Sequence, residues 1–227
     1  MAEADHPRVT FLDCLPPAGD PAIELRAGLA APQPAIAPKY FYDALGCRLY
    51  EAICELPEYS PPRDEAALLR VHLRDIARRV GAGCTLIDVG AGNCAKAESL
   101  FATLLPRQYV AVDIASAFLQ AQLDALAGRH PGIDIAGVAT DFSRGFALPG
   151  GLAGDRRTVF YPGSSIGNFD AGAATALLAD FGAAADGGHL LLGADLVKDE
   201  AAMVAAYDDA LGVTAAFNLN VLRVANR

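Results

Sequence analysis

Residues 86–100 read LIDVGAGNCAKAESL, a short apolar run passing directly through Gly90-Ala91-Gly92 into a helix-forming segment. Glycine has no Cβ, so the chain can turn sharply there and bring its backbone against a ligand. Gly90, Gly92 and Ala95 also satisfy the G-x-G-x-x-G/A spacing of nucleotide-binding βα turns. Alone the spacing is weak evidence, because any tight turn from strand to helix favours glycine.

The same alternation continues outward from this turn. Apolar runs at 84–89, 109–113, 133–139, 157–161 and 189–195 read as strands, and 95–105, 116–130, 171–185 and 200–212 as helices. Short strands alternating with helices predict βαβ units, hence a Rossmann-like α/β fold with a mainly parallel sheet covered on both faces. Upstream, Leu69, Leu73, Ile76 and Val80 place one apolar stripe on a helix. Asp64 is positioned to cap it, Gly81-Ala82-Gly83 to stop it, and Ser60-Pro61-Pro62 reads as a breaker. Residues 1 to about 38 are rich in Pro, Ala and Gly, and the segment AAPQPAIAPK (30–39) reads as an extended arm. The expected organisation is an arm contributing to a substrate domain (1–62), a cofactor-binding domain (63–195), and the start of a further substrate-domain segment (196–227).

Two acids stand where a nucleoside would need them. Asp113 ends the strand YVAVD, about 20 residues beyond the glycines, where a carboxylate can accept from ribose hydroxyls. Asp141 ends the next strand and can accept from an adenine amino group, with Phe142 beside the base. Either acid can instead cap a helix, and for Asp141 that alternative is serious. Two ligands compete for such a crevice. A nicotinamide dinucleotide needs a pyrophosphate site at the helix start. Asp88, two residues before Gly90, would repel a phosphate but could receive the ammonium of a methionyl group. That sign argument favours S-adenosylmethionine. In TVFYPGSSIGNFDAG (158–172), Asn168 offers a carboxamide that both donates and accepts, which suits the carboxylate and amine of an amino acid. A turn asparagine in left-handed geometry explains it equally well.

Composition narrows the classes. With 53% apolar and 20% charged residues the chain can build a core, and disorder throughout is excluded. A net charge of −9 without basic runs argues against nucleic acid or an anionic membrane as partner. Five cysteines without C-x-x-C spacing and four scattered histidines suggest neither a disulfide framework nor a metal site. No basic, apolar leader opens the sequence and no apolar stretch reaches spanning length, so a cytoplasmic location is expected.

The segments LPEYSPPRDE (56–65), DVGAGNCAK (88–96), GSSIGNF (163–169), GADLVKD (193–199) and AYDDALGVTAAFNLNVLRVANR (206–227) together resemble the histidine Nα-methyltransferases of ergothioneine biosynthesis. That group includes relatives acting on other amino acids. The likeness runs from about Ala35 to Arg227. It implies S-adenosylmethionine as cofactor and stepwise trimethylation of the α-amine of L-histidine; a monomer with small-molecule partners is expected. By resemblance, Gly90, Lys96, Asp113, Asp141 and Phe142 hold the cofactor, joined by Asp88 and Gly92 from the reading of the turn itself. Tyr59, Asn168 and Tyr207 would grip the carboxylate and amine of histidine, with Tyr42 near them. Read without the family, Tyr207 is a helix-edge residue and Tyr59 a loop aromatic. No residue is nominated as catalytic base. Cys94 replaces a small hydroxyl residue of the family, and Ser60-Pro61-Pro62 replaces a stretch that normally holds a second tyrosine. Members continue past the position of Arg227, so the chain is expected to lack the segment that reads the imidazole ring. The rival readings are a methyltransferase for another amine, a non-catalytic fragment, and an NAD-dependent oxidoreductase.

Overall fold

The computed structural model describes residues 9–15 and 21–227. Their contacts divide them into two compact units. One holds the described residues up to Cys14 together with Glu65–Asp195. The other holds the described residues of Leu15–Asp64 together with Leu196–Arg227.

The first unit is an α/β domain. Its strands are β1 (Thr10–Asp13), β2 (Thr85–Val89), β3 (Gln108–Asp113), β4 (Asp134–Ala139), β5 (Arg157–Tyr161) and β6 (His189–Leu192). They form one parallel sheet in the order β1-β4-β3-β2-β5-β6. The pleat sends alternate residues of β2 to opposite faces, and both faces are covered. Leu86 packs with Tyr109, Leu100, Leu119 and Leu123 on one side. Ile87 and Val89 pack with Val110, Val159, Leu177 and Phe181 on the other. The covering helices are α3 (Pro61–Val80), α4 (Ala95–Leu104), α5 (Ser116–Arg129) and α6 (Ala171–Ala185). Leu69, Leu73 and Ile76 of α3 lie against the first face, as their spacing predicted.

Upstream of the segment read as an extended arm lie a strand, β1, and a helix, α1 (Pro21–Leu29), which the sequence reading passed over. Thr10–Asp13 completes the sheet edge beside β4, so these residues belong with the α/β unit. Ser60-Pro61-Pro62 starts α3 rather than breaking the chain. Proline is favoured in the first helical turn because its missing N–H would be unpaired there anyway. The Ser60 carbonyl accepts from the amides of Arg63 and Asp64, and its hydroxyl donates to the Asp64 carboxylate at 2.7 Å. Asp64 is therefore a first-turn residue, not the cap.

β1 is seated through a missing side chain. A Cβ on Gly137 of β4 would fall 2.5 Å from Leu123 Cδ1 and 2.6 Å from Phe11 Cδ2. Gly137→Ala is expected to cost about 1–3 kcal/mol by overpacking, read as a lower urea midpoint. An unchanged midpoint would show that Phe11 does not close over this position.

The second unit is helical. It comprises α1, α2 (Ala44–Cys54), α7 (Glu200–Tyr207) and α8 (Val213–Ala225), with a 3-10 turn at Pro38–Phe41. Asp43 caps α2 through the Gly46 amide at 2.8 Å and accepts from buried Asn220 of α8 at 2.7 Å, tying the two helices together. The single helix expected over 200–212 is in fact interrupted. Asp209 turns its carboxylate onto the amides of Val213 and Thr214 at 3.0 and 2.8 Å, starting a new helix. Those amides, Thr214 first, hold the Asp209 carboxyl down to about 2.

Candidate active site

Because all strands are parallel, their carboxyl ends share one edge of the sheet. From β2 the chain steps to β3 and β4, then returns past β2 to β5 and β6. The reversal between β2 and β5 is a topological switch point, and α/β sheets bind ligands in the crevice outside the strand ends there.

The glycine turn sits at this point. Gly90 and Gly92 have φ of +75° and +53°, a region that suits residues without a Cβ. The amides of Gly90 and Ala91 donate to the Val112 carbonyl at 2.8 and 3.1 Å, fastening the turn to the end of β3. Asp113 completes the fastening. Its Oδ2 accepts from the Gly92 amide at 2.9 Å and its Oδ1 from the Ala115 amide at 2.9 Å. Two backbone donors thus fix the carboxylate plane, and each oxygen keeps a second lone pair for a ligand hydroxyl. Phe142 lies over the turn, since a Cβ on Gly90 would come within 3.9 Å of its Cζ.

Asp141 starts the 3-10 turn Phe142–Arg144, accepting from the Ser143 amide at 3.2 Å and from the Ser143 hydroxyl. Its capping role is real, as the sequence allowed. Asn168 ends the short turn Ser165–Asn168 and is exposed. Its carboxamide has no hydrogen-bond partner among the described residues.

Asp88 departs from expectation. It is 2% exposed, and its Oδ2 takes the hydroxyl of buried Tyr109 at 2.8 Å, while Oδ1 has no partner among the described residues. In β2, Asp88 shares a face with Leu86, under α4, rather than opening on the crevice. Burial pushes its carboxyl up to about 7 against the opposing Tyr109 bond. An ammonium arriving from the crevice would have to enter the core to reach it. The same burial drives the neighbouring Cys94 thiol up to about 12.

Lys96, in the first turn of α4, meets instead a residue the sequence reading passed over. Glu65 of α3 accepts from Lys96 Nζ at 2.6 Å through Oε2 and from the Gly163 amide at 2.7 Å through Oε1. Nothing in the local pattern singled out Glu65, because both partners are distant in sequence. A separate cleft of about 260 Å³ lies at the opposite end of the strands, lined by Val9, Ile133 and Asp134. It gathers no such polar constellation.

In the helical unit three expected substrate residues are linked through a fourth. The Tyr59 ring meets Tyr207 edge-on, centroids 5.8 Å apart. Tyr59 and Tyr50 interact electrostatically, and Tyr50 meets Tyr42 edge-on, also at 5.8 Å. Phe217 of α8 supports both Tyr42 and Tyr50. Burial raises the Tyr59 phenol to about 12 and the Tyr50 phenol further still, so both are neutral donors at neutral pH. Tyr50 lies in the aromatic-rich segment 39–63, whose density was the one signal that could have marked it.

A family model described as histidine-specific, SAM-dependent methyltransferase matches residues 22–227. The chain belongs to that family. Among its relatives, a histidine N-alpha-methyltransferase of Mycolicibacterium smegmatis is 40% identical over 209 residues, which cover 90% of this chain and 64% of the relative. The histidine N-alpha-methyltransferase of Mycobacterium tuberculosis is 39% identical over 210 residues, with the same coverage of 90% and 64%. The ergothioneine biosynthesis protein 1 of Neurospora crassa is 30% identical over 193 residues, covering 82% of this chain and 22% of that protein. The chain thus spans 64% of the length of the two mycobacterial relatives. As a member of this SAM-dependent methyltransferase family, it has strand ends that suit the cofactor chemically. A rigid carboxylate for ribose, an aromatic ring over the turn, and a cation beside an anion for a zwitterion are all present in one unit. Among the described residues no helix is long and apolar enough to cross a membrane.

Proposed function

We propose that this chain binds S-adenosylmethionine at its glycine turn and serves the Nα-trimethylation of L-histidine, the methyl-transfer step of ergothioneine biosynthesis. The observation that carries this reading is the match to histidine-specific methyltransferases over residues 22–227. Gly90, Gly92 and Asp113 take the ribose side of the cofactor, Asp141 and Phe142 the adenine, and Lys96 the carboxylate of its methionyl group. Tyr59, Tyr207 and Tyr42 in the helical unit, and Asn168 in the α/β unit, are the proposed contacts to the carboxylate and amine of histidine. The protein acts as a cytoplasmic monomer with small-molecule ligands and no nucleic acid. Buried thiols at Cys84 and Cys94 suit a reducing compartment.

The sulfonium of the bound cofactor supplies an already activated methyl group. What remains for the protein is to hold a deprotonated amine in line with it, which is a task of positioning. Neutral tyrosine hydroxyls and a carboxamide orient an amine without competing for its lone pair as acids. No strong base is required if water removes each proton.

Calorimetric titration with S-adenosylhomocysteine, then with L-histidine added, and with NAD as control, tests the reading. Cofactor binding tightened by histidine but not by other amino acids is the expected result. Saturable NAD binding without nucleoside binding would overturn it. Tyr50→Phe, which removes the hydroxyl that interacts with Tyr59 but keeps the packing, is expected to weaken histidine binding about 3- to 10-fold. Its affinity for S-adenosylhomocysteine should be unchanged, and a loss there instead would disconnect Tyr50 from the substrate.

A further inference from the structure

Glu65 is the best-placed anion at the switch point. Its side chain is 16% exposed, and both oxygens are engaged, one on Lys96 and one on the Gly163 amide. One carboxylate therefore joins α3, the helix that follows the glycine turn, and the end of β5. The position is also shaped around it. A Cβ on Gly193, just past β6, would collide with Glu65 Oε1 and lie 3.1 Å from Pro162 Cα. Only glycine there lets the carboxylate lie against the end of β5.

The order of groups along the sheet edge gives this anion a task. Asp141 and Phe142 stand at the end of β4, Asp113 at the end of β3, the glycine turn at the end of β2, and Gly163 with Glu65 and Lys96 at the end of β5. Adjacent strands lie about 4.8 Å apart, so these four ends span about 14 Å. The groups of S-adenosylmethionine run adenine, ribose, sulfonium, amino acid. With the nucleoside over β4 and β3, the amino-acid end falls at β2 and β5. A zwitterion needs one anion and one cation side by side, and Lys96 with Glu65 is such a pair. Asp88 is enclosed and bonded to Tyr109.

We propose that Glu65 receives the α-ammonium of the cofactor's methionyl group while Lys96 turns to its carboxylate. The ion pair of the ligand-free protein opens, and the four charges re-form as an alternating cluster. This rests on the reading of the chain as an S-adenosylmethionine-binding domain. The ammonium role expected for Asp88 thereby passes to a residue of α3.

Equilibrium titration of the wild-type chain and Glu65→Gln with two ligands tests it: S-adenosylhomocysteine and its deamino analogue, which keeps the carboxylate but lacks the ammonium. Glutamine still accepts the Gly163 amide, so the fold is retained, and a thermal melt checks this. Glu65→Gln is expected to weaken S-adenosylhomocysteine binding about 10-fold or more, the loss of one charge-assisted contact. The deamino analogue should bind Glu65→Gln as tightly as wild type or tighter, because Lys96 no longer has a competing partner. Equal weakening of both ligands would mean that Glu65 is structural only. Tightening of both would mean that it merely competes for Lys96. Either result overturns the proposal. Failure of the wild-type chain to bind S-adenosylhomocysteine would overturn the cofactor reading itself, and the proposal with it.

Discussion

Asp88→Asn is expected to stabilise the protein at pH 8 by on the order of 2–4 kcal/mol, with the gain shrinking steadily towards pH 4. The carboxyl ionises near 3.9 in an unfolded chain and is pushed up to about 7 in the fold, chiefly by burial. A raised carboxyl pKa means that the folded state holds its proton more tightly than the unfolded state. The neutral acid is accommodated at low pH, and stability is lost as pH rises from about 4 to about 7. Above that window the full cost of a buried charge with one unpartnered oxygen remains. Asparagine mimics the neutral acid in shape and can still accept from Tyr109. Urea denaturation at pH 8, 6 and 5 reads the difference. A gap between variant and wild type that does not change with pH would falsify the assignment. S-adenosylhomocysteine affinity should stay within a few-fold, in contrast to the loss that a direct ammonium contact at Asp88 demands.

Asp113→Ala is expected to lower affinity for S-adenosylhomocysteine by about 100-fold or more, roughly 3 kcal/mol. Two effects add. The ligand loses an ionised acceptor for its ribose hydroxyls, and hydrogen bonds to charged groups are worth about 1.5–3 kcal/mol. The glycine turn also loses the anchor on the Gly92 amide, and α5 loses the one on the Ala115 amide. The second effect has its own readout. Hydrogen exchange at the Gly92 amide should quicken in the ligand-free variant, because an amide released from a carboxylate exchanges by local opening. Affinity within about 3-fold of wild type would remove Asp113 from the cofactor site.

Much of the α/β unit was legible from local pattern. The run LIDV into Gly90-Ala91-Gly92 demanded a strand, a tight turn and a helix, and those are present. Asp113 was placed at the end of β3 because the ends of neighbouring parallel strands recur at predictable spacing. The misreadings share a cause. Thr10–Asp13 is too short to announce itself as a strand, and becomes one only by pairing with β4. Ser60-Pro61-Pro62 looks like a breaker and like a helix start alike, and the backbone acceptors of Ser60 decide between them. Asp209 lies between two helices and holds the first amides of the second, a choice set by where its carboxylate turns.

By itself, the sequence determined the alternation of strands and helices from β2 to β6, the glycines at the switch point, the acids at successive strand ends, and membership of the methyltransferase family. Those are properties of neighbours along the chain, where residue type and spacing act directly on the backbone. Tertiary structure alone decided what each acid meets. Asp88 and Glu65 are both carboxylates near the glycine turn, but the pleat of β2 carries one under α4 to Tyr109. The approach of α3 carries the other to Lys96 and Gly163, 31 and 98 residues away. Charge and burial at a site depend on what the fold brings from afar, and no local pattern encodes that.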